Sequence, residues 1–289
     1  MTAPLDPATR QELSARLRFY RDLGLTELYR RPVDPGQLEK LLESALSEPK
    51  VEVFIEESRE ASPTSRPAAA LDAATQEIVI PPRKPIAAQP EIAPPVAPED
   101  RVAALRAIQE DIGDCTRCAL HRGRNKIVFA DGSPDARLLF VGEGPGADED
   151  AQGLPFVGRA GQLLNNMITA MGLRREEVYI CNVVKCRPPG NRTPDPEEAN
   201  TCSPFLFRQI DVVRPEVIVA LGATAATYLL GQRQPLAGLR GRVHSFRGAK
   251  LIVTYHPAFL LRDPRQKKEA WADLQIAMRE LGLKVKGND

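Results

Sequence analysis

The 289-residue chain has no apolar run long enough to cross a bilayer, and its first residues lack the apolar core of a secretory leader. A membrane-embedded activity is therefore not expected, and the cytoplasm is the expected compartment. No internal repeat is visible. Neither G-x-G-x-x-G nor the Gly-Lys-Ser/Thr of a P-loop occurs, so a dinucleotide-binding or P-loop reading is not supported. Histidine is scarce, with three residues in all, and net charge is only +1, which names no partner.

What is present is unevenly distributed. The first hundred residues carry 12 Lys+Arg against 17 Asp+Glu, leaving 27 against 21 beyond them. The mildly basic C-terminal part is compatible with nucleic acid without demonstrating it. Pro63, Pro67, Pro81, Pro82, Pro85, Pro90, Pro94, Pro95 and Pro98 punctuate the stretch from about 61 to 98. Proline removes donors and blocks helix, so residues 51–100 read as a Pro/Ala-rich disordered linker with little to bury. Ahead of it, residues 1–50 read as a helical extension. Leu13, Leu17, Tyr20, Leu28 and Tyr29 among charges give Gln11 to Arg31 an apolar face. That face needs a cover, either the main domain or a protein partner. The acidic stretch Glu52 to Glu60 reads as a solvated segment. A chain beginning near Glu99 is expected to suffice for activity.

Residues 101–289 have a different character. Arg101 to Ile112 has helical spacing at Val102, Leu105 and Ile108. Four apolar strand-like runs follow, Arg137 to Val141, Val178 to Val184, Val217 to Leu221 and Lys250 to Thr254. Helical stretches alternate with them at Ala160 to Met171, Pro196 to Val213, Ala223 to Leu230 and about Gln266 to Leu281. Apolar strands alternating with helices predict a parallel sheet with helices on both faces. In such folds ligands bind beyond the carboxyl ends of the strands. The segments at those ends are Gly142 to Gly146, Asn182 onward to Pro188-Pro189-Gly190-Asn191, Gly222-Ala223-Thr224, and Tyr255-His256-Pro257-Ala258.

Four of the five cysteines form a pattern, Cys115-x-x-Cys118, Cys186 and Cys202. In a reducing compartment such a set points to metal more than to disulfides. Four thiolates suit tetrahedral zinc or an iron–sulfur cluster, and spacing alone does not separate these from each other or from bystander thiols. Cys181, inside an apolar run, reads as a small buried hydrophobe. His121 follows the pair and is a candidate to support it, and His244 falls in a predicted turn. Gly142 to Gly146 allows close backbone approach to a ligand, with Glu143 its only titrating group; a plain strand-to-helix turn is the alternative. Phe156, between Pro155 and the Val157-Gly158 pair, suits a stacking platform for a base or an anchor for its loop. His256 at a strand end could donate to an oxygen gaining charge, or be structural. Asn182 ends a buried strand with an amide, which is costly unless paired and is able to read a base edge.

At this point the residues carry a resemblance. Gly142-Glu143-Gly144-Pro145-Gly146, then Glu149-Asp150 and Gly153 to Gly161, resemble motif 1 of the family 4 uracil-DNA glycosylases. Asn182 to Arg192 is similar to that family's central segment, and His256-Pro257-Ala258-Phe259-Leu260-Leu261-Arg262 to its motif 2. The resemblance covers roughly residues 103 to 283. It implies a three-layer α/β/α sandwich around a central, mainly parallel four-stranded sheet. It implies hydrolysis of the N-glycosidic bond of uracil in single- and double-stranded DNA during base-excision repair, leaving an abasic site. Cys115, Cys118, Cys186 and Cys202 match the family's [4Fe–4S] ligands. Glu143, His256 and Asn191 are implied as catalytic, with Glu149 a secondary candidate, and Gly144, Phe156 and Asn182 as substrate-binding. Leu260 or Leu261 is implied as a wedge filling the gap left by a flipped base, with Arg262 on phosphate. Gly144 stands where family 1 enzymes carry an Asp. The chain is expected to act as a monomer.

Three rivals are weighed. A covalent uracil-DNA trap of a sister family inserts a His-containing loop after the Asn motif, and Arg187 to Thr201 holds no histidine. A non-catalytic binding module of the same fold is opposed by Glu143, Asn182 and His256 together. A family 5-like enzyme acting on several deaminated bases usually lacks the Glu of motif 1.

Overall fold

The structure, a computed structural model, describes residues 85–284. The expected helix at Gln11 to Arg31, the acidic stretch and the linker as far as residue 84 lie outside the described residues.

Six strands form one sheet: β1 (Asp131–Gly132), β2 (Leu138–Gly142), β3 (Tyr179–Asn182), β4 (Val217–Leu221), β5 (Val243–Phe246) and β6 (Ala249–Thr254), in the order β1-β3-β2-β4-β6-β5. The four central strands are parallel and are the four apolar runs of the sequence. The four-stranded expectation is corrected at both edges, where the short β1 and β5 pair antiparallel. β1 has two residues, and β5 is exposed or half-buried at Val243, His244 and Ser245, so neither has a fully apolar run to announce it. His244 accordingly sits in a strand rather than a turn, its Nε2 2.8 Å from the Leu239 carbonyl oxygen.

Eight helices are described: α1 (Arg101–Ile112), α2 (Ala147–Gln152), α3 (Arg159–Ala170), α4 (Pro196–Val213), α5 (Ala223–Leu230), α6 (Leu236–Leu239), α7 (Pro257–Arg262) and α8 (Lys267–Glu280). The strands' period of two divides the core. Leu139, Val141, Cys181, Ile218, Ala220, Leu251 and Val253 pack with α1, α4 and α5 on one face. Leu138, Phe140, Ile180, Val217, Val219 and Ile252 pack with α3, α7 and α8 on the other. This is the expected α/β/α sandwich, and Cys181 is the expected core thiol. α4 starts where its sequence demands: Asp195 and Glu198 close a capping box and Pro196 takes the first turn.

The connection through α3 carries the chain from β2 to β3 on one side; the connection through α4 returns it to β4 on the other side of β2. The strand order therefore switches direction at β2, and the crevice beyond its carboxyl end is where such folds bind ligands.

Residues 85–98 correct the linker expectation: they lie on the domain as an extended strap. The Asn200 side chain receives Ala87 N–H and donates to the Pro85 carbonyl, both at 3.0 Å. Gln89 Nε2 donates to the carbonyls of Tyr228 and Leu229, two of the orphan acceptors at the end of α5. Arg247, in a buried ion pair with Asp211, donates to the Pro90 and Glu91 carbonyls, while Asp211 receives Ala93 N–H. Ile86 and Val96 pack against the core. Proline density forbids helix, but it leaves carbonyls free to accept and apolar side chains free to pack.

Candidate active site and cysteine centre

The carboxyl edge opens into a cleft of about 540 Å³ lined by the β2–α2 turn, Phe156, Asn182, the loop at Asn191, the β4–α5 turn and His256. The expected residues Glu143, Gly144, Phe156, Asn182, Asn191, His256 and Arg262 all line it.

Asn182 closes β3 in register with Gly142 and is 1% exposed. Lys185 Nζ, itself buried, donates to the Asn182 carbonyl at 2.8 Å and to Gln209 Oε1, fixing the strand end from behind. The Asn182 side-chain Oδ1 is buried and receives no hydrogen bond. A buried acceptor without a donor is costly, and this one belongs to a residue that lines the cleft. Gly142 makes room for it: a Cβ there would lie 2.3 Å from Asn182 Oδ1 and 2.5 Å from Phe156 Cζ.

Phe156 lines the cleft and anchors its loop. It is 5% exposed, takes φ 52°, and its ring lies 5.6 Å from that of His256. The uncommon backbone is held from several sides. Arg175 donates to the Pro155 and Phe156 carbonyls, Asn165 and Asp131. Gly161 lies so near that a Cβ would be 1.9 Å from the Phe156 oxygen. Glu149 Oε1 receives Val157 and Gly158 N–H while its Oε2 receives Gly146 N–H. Glu149 is thus a clasp between the turn and the Phe156 loop, with its carboxylate already engaged by backbone donors.

Glu143 follows β2, its carbonyl receiving Val184 N–H at 3.2 Å. Burial pushes its carboxyl up from the ordinary range, opposed by a hydrogen bond from the Thr224 hydroxyl to Oε2. Gly144 is fixed by its neighbours, since a Cβ would meet Val184 Cγ2 at 2.7 Å. Asn191, at φ 56°, accepts from Arg187 Nε at 2.8 Å through Oδ1.

His256 caps α7 with Nδ1, which accepts Ala258 N–H at 3.1 Å. The neutral ring therefore carries its proton on Nε2. Burial, with the charge of Arg262 adding to it, pushes the imidazole down to about 4. Of the DNA-contact set, Arg262 is exposed and Leu261 half-buried. Leu260 is corrected: it is 1% exposed and packs in the core with Leu163, Met167 and Leu274, so it cannot leave to fill a duplex. On a helix, Leu260 and Leu261 face different ways, and adjacency in sequence could not say which is buried.

Cys115, Cys118, Cys186 and Cys202 line a single cavity behind the loop that follows Asn182. None is in a disulfide. Among the described residues, no set of three His, Cys, Asp or Glu is gathered closely enough for one ion. The donor set nonetheless suits a soft metal group: four thiols, with Arg124 Nη1 3.5 Å from Cys186 Sγ, Arg117 Nη1 3.4 Å from Cys115 Sγ, and Lys185 N–H 3.3 Å from Cys202 Sγ. Burial raises the thiols of Cys118, Cys186 and Cys202, the last to about 12, so metal loading must release protons. His121 Nδ1 lies 2.8 Å from the Cys118 carbonyl oxygen.

Sequence reasoning did not select Arg175 or Thr224 as site residues, although Thr224 carried a signal in its place at the edge of the third apolar strand; Gly142 lay in the turn read as allowing close backbone approach.

Comparison with known proteins agrees with this geometry. A profile described as the uracil DNA glycosylase superfamily matches residues 129–275. A type-4 uracil-DNA glycosylase of Thermotoga maritima is 49% identical over 165 residues, spanning 56% of this chain and 86% of the relative. One from Archaeoglobus fulgidus is 42% identical over 180 residues, 60% of this chain and 90% of the relative. A type-5 uracil-DNA glycosylase of Pyrobaculum aerophilum matches more weakly, 33% identical over 144 residues, 44% of this chain and 63% of the relative. The chain belongs to the uracil-DNA glycosylase superfamily and, within it, to the type-4 enzymes.

Proposed function

We infer that this protein is a uracil-DNA glycosylase that hydrolyses the bond between uracil and deoxyribose and leaves an abasic site for base-excision repair. The observation that carries the reading is the unpaired, buried Asn182 Oδ1 beside Phe156 at the cleft floor.

The scissile C1′–N1 bond lies inside the duplex, so the nucleotide must leave the stack to enter the cleft. Phe156 stacks on the flipped base. Asn182 Oδ1 accepts a hydrogen bond from uracil N3–H and its amide N–H donates to O4; cytosine, with an acceptor at N3 and an amine at C4, reverses both. As the bond breaks, its electron pair goes to the base and positive charge builds on the sugar. His256 Nε2–H donates to uracil O2 as that charge develops. The ionised Glu143 faces the cationic sugar and a water whose oxygen joins C1′; Asn191 serves that water from the opposite loop. The water's proton passes to Glu143, and the released uracil anion takes one proton at N1 from solvent as Glu143 gives its proton back to solvent. Leu261, half-buried and next to Arg262, is the remaining wedge candidate, with Arg262 against phosphate.

The four cysteines are read as holding a [4Fe–4S] cluster with a structural task, since glycosidic hydrolysis moves no electrons. Cys186 and Cys202 bracket the Asn191 loop, and Cys115 and Cys118 tie it to the end of α1. Among the described residues no helix is long and apolar enough to cross a membrane. The reading includes a cytoplasmic monomer and, for residues 1–50, either the docking of a protein partner or a cap on the domain.

The test is incubation of the purified, cluster-loaded protein with a uracil-containing oligonucleotide, followed by alkali. Strand cleavage at uracil is expected in single- and double-stranded DNA. No alkali-labile product refutes the reading, and an adduct stable in denaturant favours a covalent trap. Anaerobically prepared protein should be brown with about four iron per chain; stoichiometric zinc without iron refutes the cluster.

A further inference from the structure

The β4–α5 turn reaches the cleft without a part in the reaction just described. Gly222, at φ 92°, lies against His256: a Cβ there would be 3.1 Å from His256 Cβ. Two residues on, in the first turn of α5, Thr224 turns its hydroxyl across the cleft wall to Glu143 Oε2. The amide nitrogen of Gly222 is tied to the Thr254 carbonyl at 2.8 Å, so the turn is fixed to the strand that carries His256.

We infer that Thr224 is a positioning residue for the glycosylase reaction, its hydroxyl setting which way the Glu143 carboxylate points. The proposal rests on the reading of Glu143 given above. Glu143 begins a glycine-rich turn, half-buried, with its carboxylate bonded to the Thr224 hydroxyl. Thr224 lies in the first turn of α5, two residues from the Gly222 N–H that is tied to β6, so its hydroxyl is a fixed reference for the carboxylate. The bond has a second effect. Burial disfavours the charged form of Glu143, and a donor to the carboxylate favours it. The other charged or titratable groups lining this cleft are Asp148 and Glu149 from α2, Arg159 from α3, Arg192 from the loop after β3, and His256 and Arg262 from the β6–α7 edge. None of them is among the causes that shift Glu143.

Single-turnover excision from a uracil oligonucleotide, measured against pH with the full-length holoprotein, tests this. Thr224→Val, which keeps the shape and removes the hydroxyl, should slow excision about tenfold at neutral pH. It should also move the acid limb to higher pH, because the carboxyl holds its proton longer. Thr224→Ser should restore both, with DNA affinity unchanged throughout. Thr224→Ala should reproduce the limb shift and guards against misfolding of the valine variant. In a Glu143→Gln background, Thr224→Val should cost nothing more. An unmoved acid limb in both Thr224→Val and Thr224→Ala, or an equal loss in the Glu143→Gln background, overturns the proposal and leaves Thr224 a packing residue. Parent-rate excision by Glu143→Gln alone overturns the underlying reading of Glu143.

Discussion

His256 shows how a single side chain's protonation follows from its place in the chain. As the cap of α7 it spends Nδ1 on Ala258 N–H, which commits Nε2 to donation. Its surroundings hold the ring neutral down to about 4, so it stays a neutral donor across the working range. The pH–rate profile should show no break near the ordinary histidine value of about 6.5. Nitrogen NMR of the labelled protein should find the Nε2–H tautomer at pH 5–8; a titration midpoint near 6.5 contradicts this. The same depression has a stability consequence. The unfolded histidine takes its proton near 6.5 and the folded one only near 4, so stability is lost as pH falls between those values. His256→Ala should reduce single-turnover excision by about 10²–10³-fold with a smaller effect on DNA binding. Parent-rate cleavage would remove His256 from the chemistry.

At the scale of elements, the strap at residues 85–98 alters what truncation should do. Composition correctly denied it helix, and it also hid the packing, because extended backbone held by Asn200, Arg247 and Asp211 has no periodic signature. A chain starting near residue 84 keeps the whole strap and is the reference for truncation. One starting at Glu99 strips Gln89 from the end of α5 and removes Ile86 and Val96 from the core they pack against. It should melt lower by about 5–10 °C, from about 2–3 kcal/mol of lost capping and packing, while keeping the cleft and its activity at 25 °C. Equal melting temperatures for the two chains would mean the strap contributes nothing. The central strands and long helices were legible because apolar runs and helical spacing persist over many residues: Val217–Leu221, Pro196–Val213 and Ala223–Leu230 match their expected bounds. β1 and β5 were not, being short and partly exposed.

For the whole molecule, the legible part of the site was what lies beyond the strand ends: Glu143, Phe156, Asn182 and His256, far apart in sequence, share one cleft. What stayed hidden depends on side-chain direction. Leu260 turns into the core, Glu149 is engaged by backbone, and Arg175 reaches Phe156 from 19 residues away. The central claim is that Asn182 reads uracil at the bottom of that cleft. Single-turnover excision by Asn182→Ala, with DNA affinity measured alongside, tests it most directly. Excision should fall by about 10²-fold or more, while affinity for DNA changes little, because one buried base contact is lost and the phosphate contacts remain. An Asn182→Ala protein that excises uracil at the parent rate would contradict the account.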